Sequence, residues 1–145
     1  MCYNQAMKLL DFTIKLAQKA GKIIQQESKK LQKEEKRKND LVTNADKASE
    51  KYLTQTILKH FPDHAVLAEE ADFTHKSEIK KLSKSPYIWI IDPLDGTTNF
   101  AHTFPMACVS IALEEKGRIT YGGVYDPFRD ELFYAEKGGG DFKKS

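Results

Sequence analysis

Two aspartates that follow an apolar stretch are the clearest candidates for chemistry in this chain. Tyr87–Ile91 is β-branched or aromatic, which predicts a buried strand. Pro93 cannot continue a β-ladder, so we expect the strand to end at Asp92. Asp92 and Asp95 would then lie at the carboxyl end of a strand, where α/β-type proteins commonly bind ligands. Because no basic residue lies within five positions, a hard cation such as Mg²⁺ would relieve their repulsion, and the pattern indicates a metal site.

The turn after the second aspartate suits a phosphate group. Main-chain N–H groups at Gly96–Thr98, where a new helical turn is expected to start, can donate to phosphate oxygens. The alternative is that Asp-Pro and Asp-Gly are ordinary turn signals. An isolated Asp-Pro or Asp-Gly dipeptide would favour an ordinary turn, whereas the whole string D-P-L-D-G-T-T-N-F is much harder to explain in that way.

This string resembles the signature of the inositol monophosphatase family of metal-dependent, lithium-sensitive phosphatases. The resemblance extends from about Leu10 to Phe142. Further blocks carry it, namely D-L-V-T-N-A-D (Asp40–Asp46), L-A-E-E (Leu67–Glu70), F-P-M-A-C-V-S-I-A-L (Phe104–Leu113) and G-G-V-Y-D-P (Gly122–Pro127). One departure is Ala68, which replaces the glycine of the family pattern G-E-E.

The resemblance implies a set of metal ligands for Mg²⁺. Asp92 would be shared by two metal ions, with Asp95 on the second ion and the main-chain carbonyl of Leu94 on the first. Glu69 maps onto the first glutamate of the family pattern and would add a carboxylate to the catalytic centre. Glu70 would lie one step further from the metal. Without the resemblance, this pair of glutamates reads as ordinary solvated charge.

The resemblance also implies which residues act on water and phosphate. Thr97 would lie beside the attacking water, with Asp46 behind it as the hydrogen-bond acceptor. The N–H groups of Gly96 and Thr97 would hold the substrate phosphate. A metal-bound water oriented in this way is a competent nucleophile near neutral pH. Asp46 also has a local explanation, because Thr43 can cap a helix in which Asp46 is the third residue.

Composition places the chain among soluble globular proteins of one domain. It has 145 residues, of which 40% are hydrophobic and 30% charged, and a net charge of +2, which favours no strongly charged partner. Cys2 and Cys108 do not make a disulfide framework, and Cys108 is expected to be a small core residue. Because we find neither a membrane-span pattern nor a signal-peptide pattern, we expect a cytoplasmic protein.

Hydrophobic periodicity predicts two helices followed by several strands. The helices are expected over about Met7–Leu31 and from near Thr43 toward Phe61, with an exposed helix end and loop over Ser28–Asn39. Thr74–Lys84 is polar and is expected to be a helical excursion or a loop. Besides Tyr87–Ile91, the expected strands are Ala65–Ala68, Met106–Glu114, Ile119–Tyr125 and Glu131–Glu136, with turns at Lys116-Gly117 and Asp126–Asp130.

This order of elements predicts an α+β fold in which two helices pack on a mostly antiparallel sheet. The resemblance implies that residues 1–145 form a single, truncated domain, the N-terminal part of a layered α/β sandwich. The second half of the family carries a W-D-x-A-A segment, and nothing in this sequence matches it.

The expected function is that of a metal-dependent phosphoric monoester hydrolase acting on inositol monophosphate or a similar polyol or sugar phosphate. Two alternatives stay open: a catalytically incomplete fragment with a regulatory role or none, and a related fructose-bisphosphate or 3′-phosphonucleotide phosphatase. The basic run Lys29–Lys38 is interrupted by Glu34 and Glu35 and has no aromatic residue to stack on bases. We therefore predict neither a nucleic acid nor a membrane as partner, and the resemblance leaves a homodimer open.

Overall fold

Helices and strands follow one another along the chain in the computed structural model, which describes residues 3–37, 40–69 and 76–144. The helices are α1 (Tyr3–Ser28), α2 (Asn44–His60), α3 (Lys76–Lys84) and α4 (Thr97–Ala101). The strands are β1 (Lys33–Arg37), β2 (Asp40–Thr43), β3 (Ala65–Ala68), β4 (Tyr87–Asp95), β5 (Cys108–Glu115), β6 (Arg118–Asp126), β7 (Glu131–Glu136) and β8 (Gly140–Lys144). Within these ranges, no helix combines the length and the apolar character that a bilayer crossing requires.

A six-stranded sheet with the order β3-β4-β5-β6-β7-β8 forms the centre of the fold. β3 and β4 are parallel, and every later pair is antiparallel. Short turns produce the antiparallel run. Between β5 and β6, Lys116 and Gly117 both have positive φ, as the tightest hairpin turns require. The fold is therefore α+β with a mostly antiparallel sheet, as the sequence predicts.

One face of this sheet packs against α1 and α2. Along β5 the side chains of Val109, Ile111 and Leu113 are buried and their neighbours are less so, because successive side chains of a strand point to opposite faces. The other buried side chains of this layer include Ala17, Ala20 and Ile24 of α1, Leu53 and Ile57 of α2, and Trp89 and Ile91 of β4. Full burial of one large apolar side chain contributes about 1.5–3 kcal/mol, so this layer holds α2 firmly against β4.

The start of α2 is fixed by a capping box. The Thr43 side chain accepts a hydrogen bond from the Asp46 main-chain nitrogen, and the Thr43 nitrogen donates to Asp46 Oδ2 over 2.7 Å. These bonds satisfy N–H groups that the first turn of a helix leaves without an intrahelical acceptor. The structure confirms the predicted helix start, with Asp46 at the third helical position.

The prediction of an exposed helix end and loop over Ser28–Asn39 was partly wrong. α1 ends at Ser28, but Lys33–Arg37 forms a strand that pairs with β2. This strand has no apolar residue, so hydrophobic periodicity gave no signal for it. The pairing with β2 along the main chain forms it, not burial of its side chains.

Smaller differences concern boundaries. The first helix ends at Ser28 instead of Leu31, and β5 begins at Cys108 instead of Met106. The polar segment predicted as helix or loop contains α3, whereas residues 74 and 75 lie outside the described part of the chain. The strand β8 was not predicted.

Candidate metal and phosphate site

β4 runs through Pro93 instead of stopping before it, so the expected strand end at Asp92 was wrong. The ladder with β5 pairs Asp92 and Asp95 but skips the two residues between them, Pro93 and Leu94. Two residues of β4 therefore oppose a single residue of β5, which is a β-bulge. A bulge tolerates proline because the residue there need not donate to the ladder. The side chain of Leu94 is 1% exposed and anchors the bulge in the core.

The parallel pairing of β3 with β4 brings two predicted ligands together. The Glu69 nitrogen donates to the Ile91 carbonyl over 3.1 Å, just beyond the last paired residues of β3. Burial, a side-chain hydrogen bond with Glu69, and the charges of Glu69 and Asp95 raise the pKa of Asp92 to about 7, opposed by the Leu94 N–H. These acidic groups therefore disfavour the ionised form of Asp92.

The donor chemistry of this place fits a hard divalent cation. Asp92, Glu69 and Asp95 offer carboxylate oxygens, and the causes that shift the pKa of Asp92 include no basic side chain. Mg²⁺ prefers such oxygens and would replace the missing positive charge. In the described part of the chain, no three His, Cys, Asp or Glu side chains lie close enough together to hold a metal ion by themselves. The described residues thus supply a partial ligand set of suitable chemistry.

Thr97 and Asp46 are in direct contact although they are 51 positions apart in sequence. Thr97 Oγ1 lies 2.8 Å from Asp46 Oδ1 and 3.0 Å from the Leu94 carbonyl. A hydroxyl has one proton, and the closer carboxyl oxygen is the better acceptor for it. Asp46 is 1% exposed and also accepts from Thr43, so its orientation is well determined.

Gly96 occupies a position that other residues would not tolerate. Its φ is +91°, and a Cβ atom there would lie 2.8 Å from the Met106 carbonyl oxygen. Both observations require glycine, one through backbone strain and the other through contact. The residue leads into α4, whose first N–H groups have no intrahelical acceptor. It borders a cleft of about 260 Å³ lined by Leu41, Glu69, Leu94, Asp95, Gly96, Thr97, Thr98 and Asn99.

The contacts of two residues near this cleft were not predicted from the sequence. The prediction that Cys108 is a small core residue was wrong, because this side chain is only half-buried. Its Sγ lies 3.8 Å from Asp95 Oδ2. Burial, followed by the charges of Asp95 and Asp92, raises the pKa of this thiol to about 11. Ser49 donates to the Pro93 carbonyl over 2.8 Å. No local sequence pattern predicts either contact, because both depend on the β-bulge in β4.

The structure thus brings most of the predicted site residues to one end of β4. Asp92, Leu94, Asp95, Gly96 and Thr97 lie on the bulge and the turn after it, Glu69 follows β3, and Asp46 lies in the first turn of α2. Glu70 lies outside the described residues. The catalytic, metal-binding and phosphate-binding roles of these residues stay predictions.

The described residues thus form an α+β domain with acidic side chains and a glycine turn at one end of β4. A profile of the inositol monophosphatase family matches residues 5–145. The chain belongs to the inositol monophosphatase family.

Two curated relatives indicate how much of a family member is present. The chain is 44% identical over 135 residues to Nus factor SuhB of Pasteurella multocida, covering 91% of this chain and 48% of that protein. It is 48% identical over 102 residues to inositol-1-monophosphatase of Synechocystis, covering 70% of this chain and 33% of that protein. The chain therefore spans about half the length, or less, of these curated relatives.

Solved structures show the same relationship. An IMPase from Thermotoga maritima matches with a TM-score of 0.82 and 36% identity, covering 95% of this chain and 52% of that chain. An IMPase/NADP phosphatase solved with Mg²⁺ and phosphate matches with a TM-score of 0.79 and 32% identity, covering 97% and 51% respectively.

Proposed function

We propose that the chain is a Mg²⁺-dependent phosphomonoesterase, or the part of one that carries these residues, which hydrolyses inositol monophosphate or a similar polyol or sugar phosphate in the cytoplasm. The observation that carries this proposal is the hydrogen bond between Thr97 and Asp46, next to the paired carboxyl groups of Asp92 and Glu69. A structural turn requires neither the buried acceptor nor the facing acids.

Asp92, Glu69, Asp95 and the Leu94 carbonyl would hold Mg²⁺. When bound, Mg²⁺ supplies positive charge that stabilises phosphate oxygens and lowers the pKa of water. The Leu94 carbonyl keeps lone pairs for this purpose if the Thr97 hydroxyl donates to Asp46 instead. The related IMPase/NADP phosphatase solved with Mg²⁺ and phosphate supports the choice of metal.

Thr97 and Asp46 would orient the attacking water. With its proton directed to Asp46, the Thr97 oxygen is left to accept a hydrogen bond from water. Burial of Asp46 and its bonds to Thr43 keep this arrangement rigid before the substrate arrives. Such preorganisation lowers the activation free energy because little reorganisation remains for the reaction step.

The turn at Gly96 would receive the phosphate. A glycine without a side chain lets phosphate oxygens approach the main-chain N–H groups of Gly96 and Thr97 closely. The cleft beside it is lined by Glu69 and Asp95, so a phosphate there would face the proposed metal ligands.

Phosphate release by the purified chain tests this proposal. We expect Mg²⁺-dependent release from inositol monophosphate, inhibition by Li⁺ as the family resemblance implies, and a loss of at least about a hundredfold in Asp92→Asn. Asp63→Asn is a matched control, since Asp63 is exposed and lies at the other end of β4. Equal Mg²⁺-dependent release by Asp92→Asn and the unaltered chain would contradict the proposal.

A second candidate is a catalytically incomplete chain with a regulatory role or none. Two observations favour this candidate. The chain spans about half the length of a curated relative, and the described residues supply only a partial ligand set. Calorimetric titration with Mg²⁺ separates the two candidates: tight binding together with turnover excludes the incomplete chain. A panel containing fructose bisphosphate and a 3′-phosphonucleotide tests the substrate class in the same preparation.

A further inference from the structure

Ser49 makes an unusual contact for a buried serine in the middle of a helix. It is 0% exposed, and its Oγ donates to the Pro93 carbonyl of β4 over 2.8 Å. The other buried polar side chains in the described ranges are Thr13, Thr43 and Asp46. Thr13 donates within α1, while Thr43 and Asp46 bond to each other at the cap. Ser49 is the member of this set that donates to the main chain of another element.

The bonded carbonyl belongs to the peptide group in the middle of the bulge. The N–H of that same peptide, on Leu94, donates to Asp92 Oδ1 over 3.2 Å. A peptide group is planar, so a bond that fixes its carbonyl also fixes the direction of its N–H. Successive hydrogen bonds through one peptide also polarise each other. Ser49 is therefore connected to the Asp92 carboxyl group through two hydrogen bonds and one rigid plane.

A second residue of α2, Asp46, also bonds to the segment formed by the bulge and the turn after it. Asp46 and Ser49 are three residues apart and share one helix face. Asp46 accepts from Thr97, which follows the bulge, and Ser49 donates into the bulge itself. Together they fix β4 and its turn to α2 on both sides of Leu94.

We propose that Ser49 is a positioning residue that sets the orientation of the Asp92 carboxyl group through the Pro93–Leu94 peptide. The consequence for metal affinity rests on the proposed function, whereas the consequence for the peptide does not. Ser49 touches neither the proposed metal nor the substrate, and it acts through Leu94.

Amide hydrogen exchange at Leu94 tests the positioning without any metal. In Ser49→Ala we expect the Leu94 N–H to exchange about tenfold faster, because the Pro93 carbonyl loses its buried partner and the peptide rocks more freely. Thr13→Val is the matched control, since it also removes a buried hydroxyl but lies on α1. Its Leu94 exchange should be that of the unaltered chain.

Calorimetric titration with Mg²⁺ alone tests the consequence for the site. Ser49→Ala should bind about tenfold more weakly, the usual order for losing a group that orients a metal ligand. Ser49→Cys keeps the side-chain shape, is slightly larger and has only a weak donor, so it should resemble Ser49→Ala if the hydrogen bond matters. Thr13→Val should keep the affinity of the unaltered chain.

The outcomes separate this proposal from the function it builds on. If the unaltered chain binds no Mg²⁺, the proposed function fails, and Leu94 exchange still decides the role of Ser49. Unchanged Leu94 exchange in Ser49→Ala overturns the positioning role. An equal effect of Thr13→Val on Leu94 exchange or Mg²⁺ affinity also overturns it, because any buried hydroxyl would then serve.

Discussion

The indole Nε1 of Trp89 donates a hydrogen bond to Nδ1 of His64 over 2.9 Å. The His64 ring stacks with Phe61 and Tyr87, at centroid distances of 4.7 and 4.6 Å. Because Nδ1 accepts, the neutral ring carries its proton on Nε2. Burial lowers the pKa of His64 below its usual 6.5; the charge of Asp63 opposes this shift, and that of Lys81 acts in the same direction as burial. Protonation would place two N–H donors face to face.

This contact predicts a loss of stability in mild acid. The pKa of His64 is lower in the folded than in the unfolded chain, so protons bind preferentially to the unfolded chain. The contribution is fully present above pH 6.5 and is lost as the pH falls through the lowered pKa of the folded state. The free energy of unfolding in urea, measured above pH 6.5 and again in mild acid below the lowered pKa, gives this contribution. His64→Gln can accept from Trp89 without titrating, so its pH dependence should be weaker; an equal dependence would contradict the prediction.

Gly96→Ala should destabilise the chain more than a glycine substitution elsewhere. Its positive φ costs about 1–2 kcal/mol for alanine, and the contact with the Met106 carbonyl adds to that. Gly117→Ala is the matched control, because Gly117 has φ +79° and a Cβ atom added there would meet no atom within 4 Å. The difference in free energy of unfolding between the two variants measures the contact, and equal losses would show that strain alone accounts for Gly96.

Gly21→Ala should lower stability although alanine favours helices by about 1 kcal/mol. A Cβ atom on Gly21 would lie 2.5 Å from the Tyr125 ring and 3.0 Å from Pro127. The Tyr125 hydroxyl bonds to Asp130 over 2.8 Å, which limits how far the ring can move. Overpacking of this kind costs about 1–3 kcal/mol, so we expect a net loss in thermal unfolding. Gly122→Ala, with open space around it, should change little; a stabilised Gly21→Ala would refute the close packing.

Thr43→Ala should reduce the free energy of unfolding by about 1 kcal/mol, the usual cost of removing a threonine cap. The substitution removes the acceptor for the Asp46 nitrogen and the hydroxyl bonded to Asp46 Oδ2. Thr43→Ser keeps both bonds and should stay close to the unaltered chain. If urea unfolding gives the same value for both variants, the methyl group and not the cap is what matters.

Local signals explain what the sequence predicted well. The start of α2 follows from Thr43 and Asp46 three positions apart, and the β5–β6 hairpin follows from Lys116-Gly117 between apolar runs. Each of these depends on a few neighbouring residues. The resemblance to a family supplied the grouping of Asp46 with Thr97, which no local rule would suggest.

The features that escaped prediction depend on register or on main-chain pairing. β1 has no apolar side chain to reveal it, since its ladder with β2 is formed by main-chain groups. Cys108 faces Asp95 because the bulge shifts the register between β4 and β5. Ser49 donates to a main-chain carbonyl, and because every residue has one, the sequence does not indicate which carbonyl accepts the bond.

The docking of α2 on β4 makes the candidate site a product of the tertiary fold and not of any single element. Its two links, Ser49 to Pro93 and Asp46 to Thr97, join residues 44 and 51 positions apart. The hairpins of β5 to β7 close over much shorter distances and need neither link. Contacts of long sequence separation carry a larger loop-closure cost, which the packing of α2 on β4 must offset. A chain in which α2 no longer packs on β4 would therefore keep its short hairpins, while its acids, hydroxyls and glycine turn were no longer assembled.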